Sequence, residues 1–329
     1  MATTVTIRSE ERKRDIANAA TRHVNEVDFS AVQYKHTWDL LPFHENKQLY
    51  IFFGVLLGIP LIVRSFFGFV IFFLLSQVYI GAAVKHKKMK IWESFAKANG
   101  WIYYKLARED KEAPIPPSFR FIGDKNRSEN VVAGMLGSNE FRLFEHQYVI
   151  GHGKNKQTFK NTVLALKLKN NFTHILLDSK NNDGGAKQVR ASAQKVSLEG
   201  NFDEFFSLYT DPKHRVDALS VITPDVMQTV MNSSKPYDIE INESDLYIFA
   251  EGDKRNREHI QDLFVGAEKT LRELNHKAKS FSMSTVQTKT AEMRYIRTLD
   301  ELAHGAVSTK KIVIVMLMMA AIFVIPVII

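Results

Sequence analysis

Polar residues disappear from two stretches of the chain, and those stretches set its organisation. From Leu49 to Val84 nearly every position is apolar, the main exceptions being Arg64, Ser65, Ser76 and Gln77; from Ile312 to Ile329 no charged residue occurs. One straight helix over the first stretch would reach roughly 54 Å, against a hydrocarbon core of about 30 Å. The stretch therefore divides near Pro60, which breaks the backbone ladder, and Arg64, which belongs at an interface. The pattern predicts a transmembrane or re-entrant helical hairpin over 46–84. The last run predicts a C-terminal transmembrane helix over 311–329, its apolar part spanning about 27 Å behind Lys310 and Lys311.

Elsewhere the periodicity is that of a folded domain. In the N-terminal segment, residues 1–45, Ile16, Ala20, Val24 and Val27 keep helical spacing among charges and predict an amphipathic helix over 8–27, lying on the membrane or on the domain. The domain itself is expected over 85–280. Ile91, Trp92, Phe95 and Ala96 mark a helix closed by Gly100, and Ala113–Pro117 reads as a stiff connector. Extended runs at 101–106, 119–122, 131–136, 140–150, 158–168 and 173–177 are separated by Gly, Asn and Lys, as in antiparallel hairpins. Residues 196–198 and 205–209 also read as extended. Thr223-Pro224-Asp225 starts a helix, 238–250 reads as a hairpin turning at Asn242–Asp245, and a long helix follows over 255–278. The fold class is α+β: a mainly antiparallel sheet with a long C-terminal helix, tethered by the N-terminal hairpin and, through a polar juxtamembrane segment at 281–310, by the C-terminal span.

Charge gives the arrangement a direction. Lys85, Lys87, Lys88 and Lys90 follow the hairpin and Lys47 precedes it, while the turn carries only Arg64; basic residues on the inner side place the domain and both hairpin ends in the cytoplasm. The expected location is the cell inner (plasma) membrane, multi-pass. Over the full 329 residues the formal net charge is +8, and part of that excess flanks the apolar runs. No cysteine is present, which excludes disulfides and thiolate metal sites. Gly54 and Gly58 form a small-xxx-small pair suited to close helix packing, against the second arm of the hairpin ahead of another copy.

At Leu198-Glu199-Gly200, Phe205-Phe206, Leu208-Tyr209, Asp217-Ala218-Leu219 and Thr223–Met227 the chain resembles a bacterial family of membrane-anchored proteins known as domain of unknown function 3137. Gly134, Gly137, Phe141 and Thr162-Val163-Leu164 look similar too, so the resemblance covers 91–275. It implies a bacterial membrane location and brings no catalytic residue.

Candidate chemistry is sparse. Gly151-His-Gly-Lys154 lacks the spacing of a phosphate loop and reads as a hairpin turn. Asp178 and Asp183 bracket a loop without the alternating ligands of a calcium site, and they are retained only as a low-ranked loop site. His146, His152 and His174 lie in or near strands without a partner carboxylate at a telling spacing, so no metal and no cofactor is assigned. From His146 to Leu177 there is no acid, but Lys154, Lys156, Lys160, Lys167 and Lys169 are present. With the four lysines after the hairpin they are candidates to face anionic lipid; a solvated strand edge is the competing reading, and nucleic acid ranks below both. The expected function is a membrane-anchored cytoplasmic binding or scaffold module for a protein partner or anionic lipid. The alternative is an enzyme with a dispersed site on the domain.

Overall fold

Strand-length apolar alternation across 102–251 builds seven strands of one eight-stranded sheet, the eighth coming from Thr21–Arg22. The computed structural model describes residues 14–32, 51, 53, 54, 58, 66–107, 112–120, 124–150, 155–182, 195–198, 200–252 and 256–278. The C-terminal run, the 281–310 segment, most of the first hairpin arm, His152, Lys154 and Asp183 lie outside them. The strands are β1 (Thr21–Arg22), β2 (Ile102–Leu106), β3 (Asp124–Leu136), β4 (Asn139–Ile150), β5 (Gln157–Ser179), β6 (Lys195–Val196), β7 (Phe206–Thr210) and β8 (Asp238–Glu251). Their order is β1-β3-β4-β5-β7-β6, with β2 also on β3 and β8 also on β5. Every pairing is antiparallel except the short β1–β3 ladder. The helices are α1 (Phe66–Asn99), α2 (Pro117–Arg120), α3 (Phe202–Phe205), α4 (Arg215–Val221), α5 (Pro224–Ser233) and α6 (Arg257–Ala278). The protein is thus a mixed α/β fold with a mostly antiparallel sheet.

The two faces of the sheet are buried differently. One carries the larger core: Leu143, Leu164, Leu166, Ile239 and Ile248 pack with Trp92 and Phe95 of α1 and with Ile260, Leu263 and Phe264 of α6. The amphipathic stripe of α6 supplies its share at helical spacing, as the sequence predicts. The other face, with Phe144, Tyr148, Val163 and Phe249, is covered by Ala113, Ile115 and Phe119. The proline-rich connector is therefore a packed strap.

The structure departs from the expected elements at several places. Residues 158–168 and 173–177 are one strand, and 238–250 is one strand rather than a hairpin. The cause is a shared irregularity: the six residues of β5 from Lys167 to Phe172 face only three of β8, from Asp245 to Glu243. Glu243 sits there at φ 53°, a left-handed conformation uncommon outside glycine. Across this bulge the inward-facing parity reverses. Ile239 and Ile241 before it, and Leu246, Ile248 and Ala250 after it, all enter the same core. Phe119 sits at the end of a short helix, not in a strand. Of the predicted 8–27 helix, residues 14–17 are α-helical and Val24–Glu26 form a 3-10 turn among those described; Thr21–Arg22 instead pairs with Met135–Leu136. Ile16, Val24 and Val27 are nevertheless buried against the domain. Finally, the helix expected from Ile91 is the end of a 34-residue helix beginning at Phe66. Nothing breaks it at Val84–Lys85, because lysine is a good helix former.

Candidate functional site

The point where α1 meets the sheet has the most unusual environment in the protein. Its C-terminal half is rooted in the core: Trp92, Phe95 and Ala96 are buried, and Gly100 ends the helix at φ 69°. The Trp92 indole donates to Glu145 Oε1 at 2.9 Å, and Lys85 Nζ lies 3.7 Å from Glu129 Oε2. Arg127 pairs with the same Glu129, while Asn130 bridges Glu145 Oε2 and the Tyr103 hydroxyl. Asn130 lies at a bulge with φ 54°, which turns its amide into this network. The N-terminal half of α1 is the opposite. Phe67, Ile71, Phe73, Leu74, Leu75 and Val78 are exposed, Phe67 at 78% and Val78 at 71%. At about 100° per residue these six side chains spread over roughly 200° of the helix circumference, a broad face, and the remaining side carries the less exposed Phe72, Ser76 and Ile80. Elsewhere among the described residues, large exposed apolar side chains are scattered: Ile51 in the first arm, and Leu106, Val216 and Leu219.

Part of the first arm is seen beside this face. Phe53 has ring centroids 6.2 Å from Phe72 and 5.6 Å from Tyr79, two positions seven residues apart on one face of α1. A Cβ at Gly54 or Gly58 would meet nothing within 4 Å among the described residues. Among the described residues no helix is long and apolar enough to cross a membrane.

The other sequence candidates separate in space. Lys87 and Lys88 are half-buried and Lys90 is exposed on α1. Lys160 lies on the α1 face of β5, in a cross-strand row with Gln147 and Arg127, and exposed Lys156 precedes that strand. Lys167 and Lys169 have the opposite parity and lie further along β5, and Lys167 pairs with Asp245 at 3.1 Å. The acid-free stretch is therefore divided between two faces and two ends of the sheet. Asp178 is opposite Ser207 at the end of β5. The turn after it is tied down, with Ser179 N–H and Asn182 Nδ2 both donating to buried Asp238 at 2.8 Å.

A second polar locus lies on the opposite face, under the strap. Ser128, His146, Asn161 and Glu251 form one row across β3, β4, β5 and β8. His146 is fully buried, stacks on Phe119 at 5.7 Å and has Nδ1 3.0 Å from Ser128 Oγ; its Nε2 has no hydrogen-bond partner among the described residues. Further along, buried Glu240 lies 2.6 Å from His174 Nε2 and accepts the Ser118 amide at 3.0 Å. His146 and His174 thus have separate partners, and no group of three or more metal-ligating side chains gathers among the described residues.

No family model matches the chain, and no curated protein matches it. Among solved structures it is similar to the crystal structure of the mycobacterial trehalose monomycolate transport factor A, TtfA, at 13% sequence identity and a TM-score of 0.39, over 64% of this chain and 98% of that one.

His146 carries a measurable pH signature. Burial lowers its pKa from 6.5 to about 4. Below the ordinary value the unfolded chain takes up a proton that the folded one refuses, so stability falls as pH drops from about 6.5 to about 4. The loss is about 3 kcal/mol. His146→Phe should flatten that part of a stability-against-pH curve measured by urea unfolding; an unchanged slope would contradict the assignment. The sequence gives no sign of this row or of the Glu129–Glu145 network, because both depend on register across strands.

Proposed function

We propose that the chain is a membrane-anchored module whose domain is held at the cytoplasmic face of a bacterial inner membrane, and that it works by binding rather than by catalysis. The carrying observation is the broad face of exposed apolar side chains on one half of a helix whose other half is rooted in the domain core. Fully burying a large apolar side chain is worth roughly 1.5–3 kcal/mol, so this broad exposed face is costly in water, and hydrocarbon is the surrounding that matches it, with the first arm on the face where Phe53 packs. The proposed insertion is of a pair of arms, Leu49–Val63 with the N-terminal half of α1, and the Phe53 contacts support that pairing. The apolar run at 311–329 is proposed as a second anchor, and the resemblance to the membrane-anchored family agrees with this reading. The test is alkaline carbonate extraction of membranes from cells expressing the full chain. The protein should stay with the membrane pellet; release into the supernatant would reject the proposal.

A further inference from the structure

We infer that the sheet end beside the emergence of α1 is a binding surface for anionic phospholipid headgroups, built by Arg127 and Lys160 with Lys156 and the α1 lysines. The inference rests on the membrane reading and adds the ligand class and the residues to it.

The helix and β3 run in the same direction. Lys85 meets Glu129, and further on Trp101 packs against Gly134, where a Cβ would come within 2.3 Å of the indole. Going back along β3 from Glu129 therefore moves toward the apolar half of α1. The next residue on the same face is Arg127, in register with Gln147 on β4 and, through it, with Lys160 on β5. Two strand residues cover about 7 Å, the rise of four to five helical residues, so this row is displaced toward the apolar half of α1 from the contacts made by Lys85 and Trp92. Beyond it come exposed Thr158 and Lys156.

A headgroup plane that begins where the apolar face of α1 ends would lie in this direction. Arg127 and Lys160 are exposed there, and their alkyl stems let the charges reach phosphate oxygens from the flank of the helix. Of the acids nearby, Glu129 is engaged by Lys85 and Arg127 and Glu145 by Trp92 and Asn130, while Asp124 lies further along β3 in register with Val149. With Lys85, Arg127, Lys160 and Lys156 set against Glu129, Glu145 and Asp124, the local balance is one positive charge before Lys87, Lys88 and Lys90 are added. Lys167 and Lys169 lie elsewhere on the sheet and take no part. A protein partner would not need its cations set toward the apolar half of a helix, whereas a lipid surface does.

The chain has no cysteine, so Thr158→Cys gives a unique site for a donor fluorophore. The full chain carrying it is placed in phosphatidylcholine nanodiscs with a trace of tail-labelled acceptor lipid, either phosphatidylglycerol or phosphatidylcholine. Energy transfer should be greater to phosphatidylglycerol. The preference should fall roughly five-fold for each cation removed, so that R127Q/K160Q approaches equal transfer to both lipids. The charge-conserving R127K/K160R should retain the preference, which separates charge from misfolding. Equal transfer to both lipids in the unsubstituted background, or a preference unchanged in R127Q/K160Q, overturns the inference while leaving the anchor intact. Absence of transfer to either lipid removes the anchor, and the inference with it.

Discussion

Phe264→Ala is expected to destabilise the domain by about 3–5 kcal/mol, a large share of the roughly 5–15 kcal/mol typical of a whole domain. Phe264, on α6, is fully buried, and four other aromatic rings meet it. Trp101 stacks on it at 5.8 Å and 6°, Phe141 meets it edge-on at 5.3 Å, and Phe29 and Phe95 approach at 5.8 and 6.3 Å. Those partners come from the N-terminal segment, α1, the start of β2 and β4, so the cavity would open where four parts of the chain converge. A rigid cluster of flat rings cannot collapse into the gap, which places the cost high in the usual range. The consequence extends to the anchor, because Phe95 and Trp92 are what root α1 in the domain. Urea unfolding of the full chain in detergent micelles measures the effect, and a loss below 1 kcal/mol would show that α6 is not structurally tied to α1.

Glu240→Ala is expected to cost roughly 1–3 kcal/mol, because it leaves the buried donors that the carboxylate accepts without a partner. The carboxylate is wholly inaccessible, lies against His174 and receives the Ser118 amide on both oxygens. Its loss leaves a buried N–H without an acceptor and releases the strap. Phe119 next to Ser118 packs on Phe249 at 4.8 Å, although Glu240 and Phe249 would be about 30 Å apart on a straight strand. The strap therefore fits a strand that curves around it, and its two contacts cannot both survive straightening. Hydrogen exchange at the Ser118 amide reads this locally: exchange should accelerate strongly in Glu240→Ala and less in Glu240→Gln, which keeps an acceptor. Unchanged protection in Glu240→Ala would contradict the role assigned to the carboxylate.

Much of the domain was legible because local signals and tertiary packing agree. The stripe of α6, the Thr223-Pro224 start of α5, the left-handed Gly100 and the β4–β5 hairpin all follow from spacing and turn chemistry. At Thr223 the position was right but the chemistry was incomplete, since its hydroxyl makes no capping hydrogen bond. The failures share a cause. Lys169-Asn170-Asn171 and Asn242–Asp245 have the composition of turns, yet they are the two sides of one bulge, and only pairing between distant strands distinguishes the cases. Continuity of α1 through its lysines was equally hidden, because a change from apolar to charged residues marks a change of surroundings and not the end of a helix. The row of Arg127, Gln147 and Lys160 joins residues from three strands. The acid-free lysine stretch pointed to Lys160 and wrongly grouped it with Lys167, which the strand parity places on the other face.

The central claim is that the N-terminal half of α1 lies in hydrocarbon while its C-terminal half belongs to the domain. Val78 on that half and Val216 on α4 are almost equally exposed in the isolated fold, at 71% and 79%, so any contrast between them comes from the surroundings. Single spin labels at Val78→Cys and Val216→Cys, in the full chain reconstituted into vesicles, should respond oppositely to collision reagents. The Val78 label should relax with oxygen and be shielded from a water-soluble nickel chelate, and the Val216 label should be accessible to the chelate. Equal access of the chelate to both labels would contradict the account.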